Sequence, residues 1–263
     1  MTTFAEKARR LDGARLHLKR RYGDAPKLMV THPVEHTLRA ILSEEATASQ
    51  VEQAMCRLRE QFVDWNDLRV SRPREIREAL GADFPRAAEK ARVVPRLLDQ
   101  VFKRHNSMVW DFMEAMGKVA TRAFFGSLEE VRPFLAATIA RDCAGAHAFP
   151  VDRDIARTLG RLGILHPETE SETQMQAFLE RAVKSPRAYE IHYLVKRLAE
   201  DLCLLETPVC APCPLSKKCP SAVLQPKERR AGRKRPAPAK KRPQTKQKRA
   251  ARKPIASRRR REK

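Results

Sequence analysis

The sequence predicts an all-α fold, on three observations. Apolar residues recur at the helical period: Val51, Met55, Leu58 and Phe62 share one face, and Ile191, Leu194, Val195, Leu198 and Leu202 share another. No convincing alternating stretch competes with them as a strand. Helix start signals agree, since Ser49 with Glu52 reads as a capping box, Ser71 precedes Pro73, and Ser185 stands directly before Pro186. Pro95 falls inside the helical stretch from Ala87 to His105 and is expected to kink or divide it, because it removes an amide donor and crowds the preceding turn. Ser127 with Glu130 reads as a capped turn, after which Pro133 opens a helix carrying Phe134, Leu135, Ile139 and Ala140 toward the core until Gly145. Asp152, after Pro150 and Val151, reads as the N-cap of a helix beginning near Arg153.

The charge is concentrated at one end. The 263 residues carry 54 Lys+Arg against 32 Asp+Glu, a formal charge of +22 that favours a polyanionic partner such as nucleic acid. From Leu224 to Lys263 the chain holds 19 Lys+Arg and two acids, in clusters such as Lys240-Lys241-Arg242 separated by Pro236, Pro238, Pro243 and Pro254. Such a segment buries too little apolar surface to offset chain entropy, so 224–263 is expected to be disordered. It should add salt-sensitive, sequence-independent affinity for DNA or RNA through counterion release. No run approaches the roughly 18 to 20 apolar residues of a membrane span, and no apolar leader follows Met1, so neither a membrane nor a secreted protein is expected.

Four of the six cysteines fall within seventeen residues as Cys203-x6-Cys210-x2-Cys213-x5-Cys219, with Pro208, Pro212, Pro214 and Pro220 stiffening the turns. In a reducing compartment such clustered thiols are better explained as thiolate ligands than as disulfides, and spacing alone leaves both a [4Fe–4S] cluster and tetrahedral zinc open. Cys56 and Cys143 lie on expected helices and read as small buried apolar residues.

With these residues in view, the sequence resembles endonuclease III and the wider helix-hairpin-helix DNA glycosylase superfamily. That family closes its chain with the same C-x6-C-x2-C-x5-C loop around a [4Fe–4S] cluster, so the resemblance implies iron–sulfur ligation by Cys203, Cys210, Cys213 and Cys219. Pro33-Val34-Glu35 followed by Ile41-Leu42-Ser43-Glu44-Glu45-Ala46-Thr47 looks like its early helix and S-x-Q-A-T turn. Val151-Asp152-x-x-Ile155-x-Arg157-x-x-x-Arg161-Leu162-Gly163 is similar to its V-D-T-H-[IV]-x-R-x-x-x-R-L-G segment. Asp152 thereby matches the catalytic aspartate, the carboxylate that stabilises positive charge developing on the sugar and orients or deprotonates the nucleophile. A base inside a duplex would first be flipped out and read in a pocket.

Two positions depart from the family. Glu45 stands where the family has the Gln that fills the vacated stack. Leu128-Glu129-Glu130-Val131-Arg132-Pro133-Phe134 stands where it has L-P-G-V-G-[RK]-K, so Phe134 replaces the Schiff-base lysine and Glu130 a glycine that lets backbone amides approach phosphate, with Arg132 compensating in part.

The resemblance implies a two-lobed helical fold. A central helical module would span 30–146, a second lobe would join the N-terminal helix, 1–29, to 147–223, and 224–263 would trail as the basic tail. Double-stranded DNA, damaged or mismatched, would lie between the lobes of a monomer. Contacts are expected from Glu45, Arg132, Lys217, Lys218, Lys240, Lys241 and Arg242. The expected location is the cytoplasm, on the nucleoid, or the nucleus in a eukaryotic host. The leading function is a monofunctional base-excision glycosylase without lyase activity. Its rivals are a non-catalytic iron–sulfur descendant that binds DNA, and a zinc-stabilised chromatin or RNA-binding protein.

Overall fold

A computed structural model describes residues 3–222; the basic tail 224–263, with Lys240, Lys241 and Arg242, lies outside the described residues. Among the described residues the chain forms α-helices joined by short loops, with no strand: α1 (Phe4–Tyr22), α2 (Pro33–Leu42), α3 (Ala48–Gln61), α4 (Trp65–Val70), α5 (Pro73–Leu80), α6 (Ala87–His105), α7 (Phe112–Met116), α8 (Lys118–Gly126), α9 (Pro133–Asp142), α10 (Arg153–Arg161), α11 (Glu172–Ala182) and α12 (Ser185–Asp201). None of these is long and apolar enough to cross a membrane.

Two apolar clusters organise them. The first gathers Leu38, Met55, Leu58, Ile76, Leu80, Leu98, Trp110, Phe125 and Ile139 from α2 through α9. The second brings Leu11 and Leu18 of α1 against Phe149, Ile155, Leu159, Leu179, Leu194 and Leu198, so the first helix packs beside the last. Each fully buried Leu or Ile contributes on the order of 2 kcal/mol of apolar burial.

Local signals explain most helix ends. Thr3 and Glu6 form a reciprocal capping box on α1, which Gly23 ends at φ 79°. The capping box on α3 is Thr47 with Gln50, not Ser49 with Glu52: the helix begins two residues earlier than that pattern implies, and Ser49 lies inside its first turn. Lys184 caps α12, which places Ser185 and Pro186 within the helix. Pro95 does not divide α6, which runs unbroken from Ala87 to His105. One intrahelical hydrogen bond is lost there, but Val94, Leu97 and Leu98 around it are wholly buried and hold the helix together. Cys56 is exposed on α3 rather than buried, whereas Cys143, just past α9, is partly buried and its thiol is pushed up to about 12 by burial.

Candidate active site

Asp152 ends the extended segment after α9 and caps α10. Its Oδ1 accepts from the Ile155 amide at 2.8 Å, the bond expected of an N-cap, and the residue is 4% exposed. Its Oδ2 accepts from Lys196 Nζ at 2.7 Å. Lys196, on α12, also donates to Asp154 Oδ2 at 2.7 Å and to the Ser43 carbonyl at 3.2 Å. Burial alone would discharge this lysine; Asp152 and Asp154 outweigh it and raise its pKa above the ordinary lysine value, so it stays an ammonium. Asp154 is held low by Lys196 and Arg157 against the effect of burial, and its Oδ2 accepts from the Glu45 amide at 3.0 Å.

The turn between α2 and α3 is fixed from two sides. Lys90 of α6 is buried and donates to the Leu42 and Glu44 carbonyls at 2.8 and 2.7 Å; burial drops its pKa to about 8, although Glu44 and Glu45 pull the other way. Lys196 holds Ser43 from α12. Between them Glu45 adopts φ 58°, a left-handed conformation unusual for a side chain of its size. Its carboxylate lies 3.7 Å from Arg86 and 3.6 Å from Arg153.

Asp152 lines a cavity of about 300 Å³ between α2, α3, α9 and α12. Phe134, which the sequence resemblance sets at the family's lysine position, is 6% exposed and forms part of the wall without closing it. Tyr189 and Tyr193, stacked with centroids 6.5 Å apart, add two more aromatic rings. His192 is kept neutral, its pKa pushed well down by burial and then by Arg141 and Lys196. Arg141 contributes Nε and Nη2 to Asp142 at 2.5 and 3.0 Å, and Asp142 accepts a further hydrogen bond from His36 at 2.8 Å. Burial would raise Asp142, yet His36 and Arg141 bring it down to about 2. The volume suits a small planar ligand.

Sequence reasoning found Asp152 and missed Lys196, Arg141 and His192. A signal was there: Tyr189, His192, Lys196 and Glu200 form a polar and aromatic stripe at helical spacing along α12, beside its apolar face of Ile191, Leu194, Val195 and Leu198, and all four line the cavity.

α8 and α9 pack together across the segment 127–132. Glu130 takes φ 63°, the left-handed conformation a glycine would supply without cost. Its carboxylate is not left bare against the backbone: it contacts Arg96 and lies 3.7 Å from Arg92, both on α6. Gln100 accepts from the Glu129 amide at 2.8 Å and donates to its carbonyl at 3.1 Å, pinning the same loop. Arg132 is occupied by Glu44 at 2.5 Å and Glu172 at 2.9 Å.

Cys203, Cys210, Cys213 and Cys219 all line one small cavity behind α12, with Leu198, Leu202 and Leu215 as its apolar floor. Four sulfurs around one small, mostly apolar space form a donor set that either a polynuclear cluster or a thiolate-bound zinc would use. Arg161 Nη1 lies 3.4 Å from Cys203 Sγ and donates to the Leu204 carbonyl at 2.5 Å, which ties α10 to the start of the loop. Lys217 and Lys218 are exposed on the loop, Lys218 Nζ lying 3.2 Å from His17 Nε2.

No protein-family model and no curated protein matches the sequence. The structure does have solved counterparts. A trapped endonuclease III–DNA covalent intermediate superposes with a TM-score of 0.64 at 20% identity, covering 84% of this chain and 98% of that one. A thermostable thymine-DNA glycosylase gives 0.57 at 15% identity, over 83% and 97%. The 3-methyladenine DNA glycosylase of H. pylori bound to 1,N6-ethenoadenine gives 0.55 at 16%, over 74% and 97%. The chain therefore shares the all-helical fold of these endonuclease III and DNA glycosylase structures.

Proposed function

We propose that the protein is a DNA N-glycosylase that hydrolyses the glycosidic bond of a base flipped out of a duplex, without a lyase step. The observation that carries this reading is Asp152 in the wall of a base-sized cavity flanked by aromatic rings. Two of its lone pairs are spent on Ile155 and Lys196, leaving the others for a water molecule or for the positive charge that develops at C1′. The Asp152 carboxylate, held in place by the Ile155 amide and the Lys196 ammonium, would stabilise an oxocarbenium as the base departs. Phe134 offers no amine for an imine, so water is the nucleophile. Damaged or mismatched double-stranded DNA is the proposed substrate, the known DNA and base complexes of the structural counterparts supporting that choice. The basic tail would hold the protein on DNA between encounters.

A [4Fe–4S] cluster on Cys203, Cys210, Cys213 and Cys219 belongs to the same proposal. An all-sulfur donor set around a small apolar cavity, at the spacing of the endonuclease III loop, supports that assignment. Such a cluster would supply a rigid staple for the loop that carries Lys217 and Lys218.

The ion pair itself favours a second reading. A carboxylate already neutralised by a buried ammonium is weakened as an electrostatic catalyst, as expected in a non-catalytic descendant that only binds DNA. Incubation of the full chain with a panel of duplexes bearing single lesions, followed by hot alkali, separates the two. Strand breaks at a lesion, reduced at least about 100-fold by Asp152→Asn and giving no borohydride-trapped adduct, are the expected result. Tight DNA binding with no break on any duplex assigns the protein to the second reading.

A further inference from the structure

We infer that Arg141 reads the edge of the flipped base and selects uncharged bases bearing an exocyclic carbonyl, against amino-edged or cationic N-alkylated ones; this rests on the glycosylase reading and adds a substrate class to it. Arg141 lines the Asp152 cavity at 8% exposure, and its Nη1 is a buried donor with no partner in the protein. Among the described residues that line this cavity, no other side chain has a buried polar atom so left. A charged donor kept dry and unpaired costs stability, and on a residue that lines a cavity it is one that a ligand acceptor would satisfy.

The guanidinium is also held still. Asp142 grips two of its three nitrogens, His36 in turn donates to Asp142 at 2.8 Å, and the Tyr189 ring lies 5.5 Å from Cζ. A fixed donor discriminates by geometry where a flexible lysine would not. Phe134, Tyr189 and Tyr193 offer faces to a planar ring. A carbonyl oxygen meets the Nη1 hydrogen directly. An amino group brings hydrogen against hydrogen, and a ring that carries positive charge meets Arg141 and the Lys196 ammonium together.

The test uses the full chain and duplexes in which the target nucleotide carries 2′-fluorine, which blocks bond cleavage so that binding alone is read. Hypoxanthine is compared with unsubstituted purine, and uracil with pyrimidin-2-one, each pair differing by one carbonyl. The wild-type protein should bind the carbonyl member of at least one pair about tenfold more tightly, and Arg141→Lys, which keeps a cation beside Asp142, should bring that ratio within about twofold of unity. If Arg141 only buttresses the fold, the variant weakens all four complexes alike and the ratio survives, which overturns the inference. Equal binding of both members of both pairs by the wild type overturns it too. Base release from natural lesions in the face of such indifference leaves the glycosylase reading standing, whereas no release and no selective binding removes both.

Discussion

Lys196 Nζ sits 2.7 Å from Asp152 Oδ2 and 2.7 Å from Asp154 Oδ2, so one ammonium from the last helix bridges two carboxylates at the start of α10. All three residues are buried: Lys196 is 8% exposed and the two aspartates 4% each. The bridge also reaches Ser43 and, through Asp154, the Glu45 amide, so Asp152 and the turn beside it share one support. Charge balance here is a condition of folding before it is a feature of chemistry.

Removing the ammonium strands both carboxylates in a dry site. Lys196→Met should lower unfolding free energy by roughly 3–5 kcal/mol, the usual cost of breaking a buried pair from one side. Adding Asp154→Asn to that variant should recover part of the loss by deleting one uncompensated charge. Urea unfolding followed by circular dichroism checks both, and a loss under about 1 kcal/mol for the single variant would show the bridge to be energetically idle.

The acid limb of stability should report Asp142. Its carboxyl is near 2 in the folded chain against 3.8 when free, and its side chain is 3% exposed. As pH falls, the unfolded chain takes up this proton first, so the contribution is complete above about pH 4 and lost as pH approaches 2. The amount is about 2 kcal/mol. Asp142→Asn should flatten the pH dependence of the urea midpoint across that window by a comparable amount. Parallel curves for variant and parent would place the acid sensitivity elsewhere.

The helices and their order were legible because apolar spacing is a local property: Ile191, Leu194, Val195 and Leu198 declare a face whatever they pack against. Cap choice was less so. Thr47-x-x-Gln50 and Ser49-x-x-Glu52 overlap, and the chain uses the first: α3 begins at Ala48 with Val51 and Met55 buried, and nothing in the two motifs themselves ranks one above the other. The cavity residues were harder still. Lys196 finds partners at positions 43, 152 and 154, and Lys90 at 42 and 44, contacts that no window along the chain brings together. Asp152 was recoverable since its N-cap role and its motif are both written in neighbouring residues.

Iron content tests the cysteine loop independently of any reaction. Protein purified without oxygen should be brown and contain iron and inorganic sulfide in equal amounts, and Cys210→Ser should lose both. The loop from 203 to 219 packs Leu215 into the second apolar cluster, so loss of the group should also lower Tm and open that loop to proteolysis. A colourless protein holding one zinc per chain would replace the iron–sulfur assignment.

The loop between α8 and α9 yields the least intuitive expectation. Glu130 holds a glycine's backbone conformation at φ 63° while its carboxylate occupies Arg96 and approaches Arg92. Glu130→Gly relieves the left-handed strain, worth on the order of 1 kcal/mol, and gives up exposed ion pairs worth about the same or less, so stability should change little. Affinity should change more. With the carboxylate gone, both arginines, each half-exposed, are free to meet phosphate, and a cation newly engaged adds roughly 0.9 to the slope of log affinity against log salt. The variant should therefore bind duplex DNA more tightly at low salt and lose that advantage more steeply as salt rises. If affinity and slope stay at parent values while Tm is unchanged, this loop does not face the DNA backbone, and the duplex must lie against another surface of the molecule.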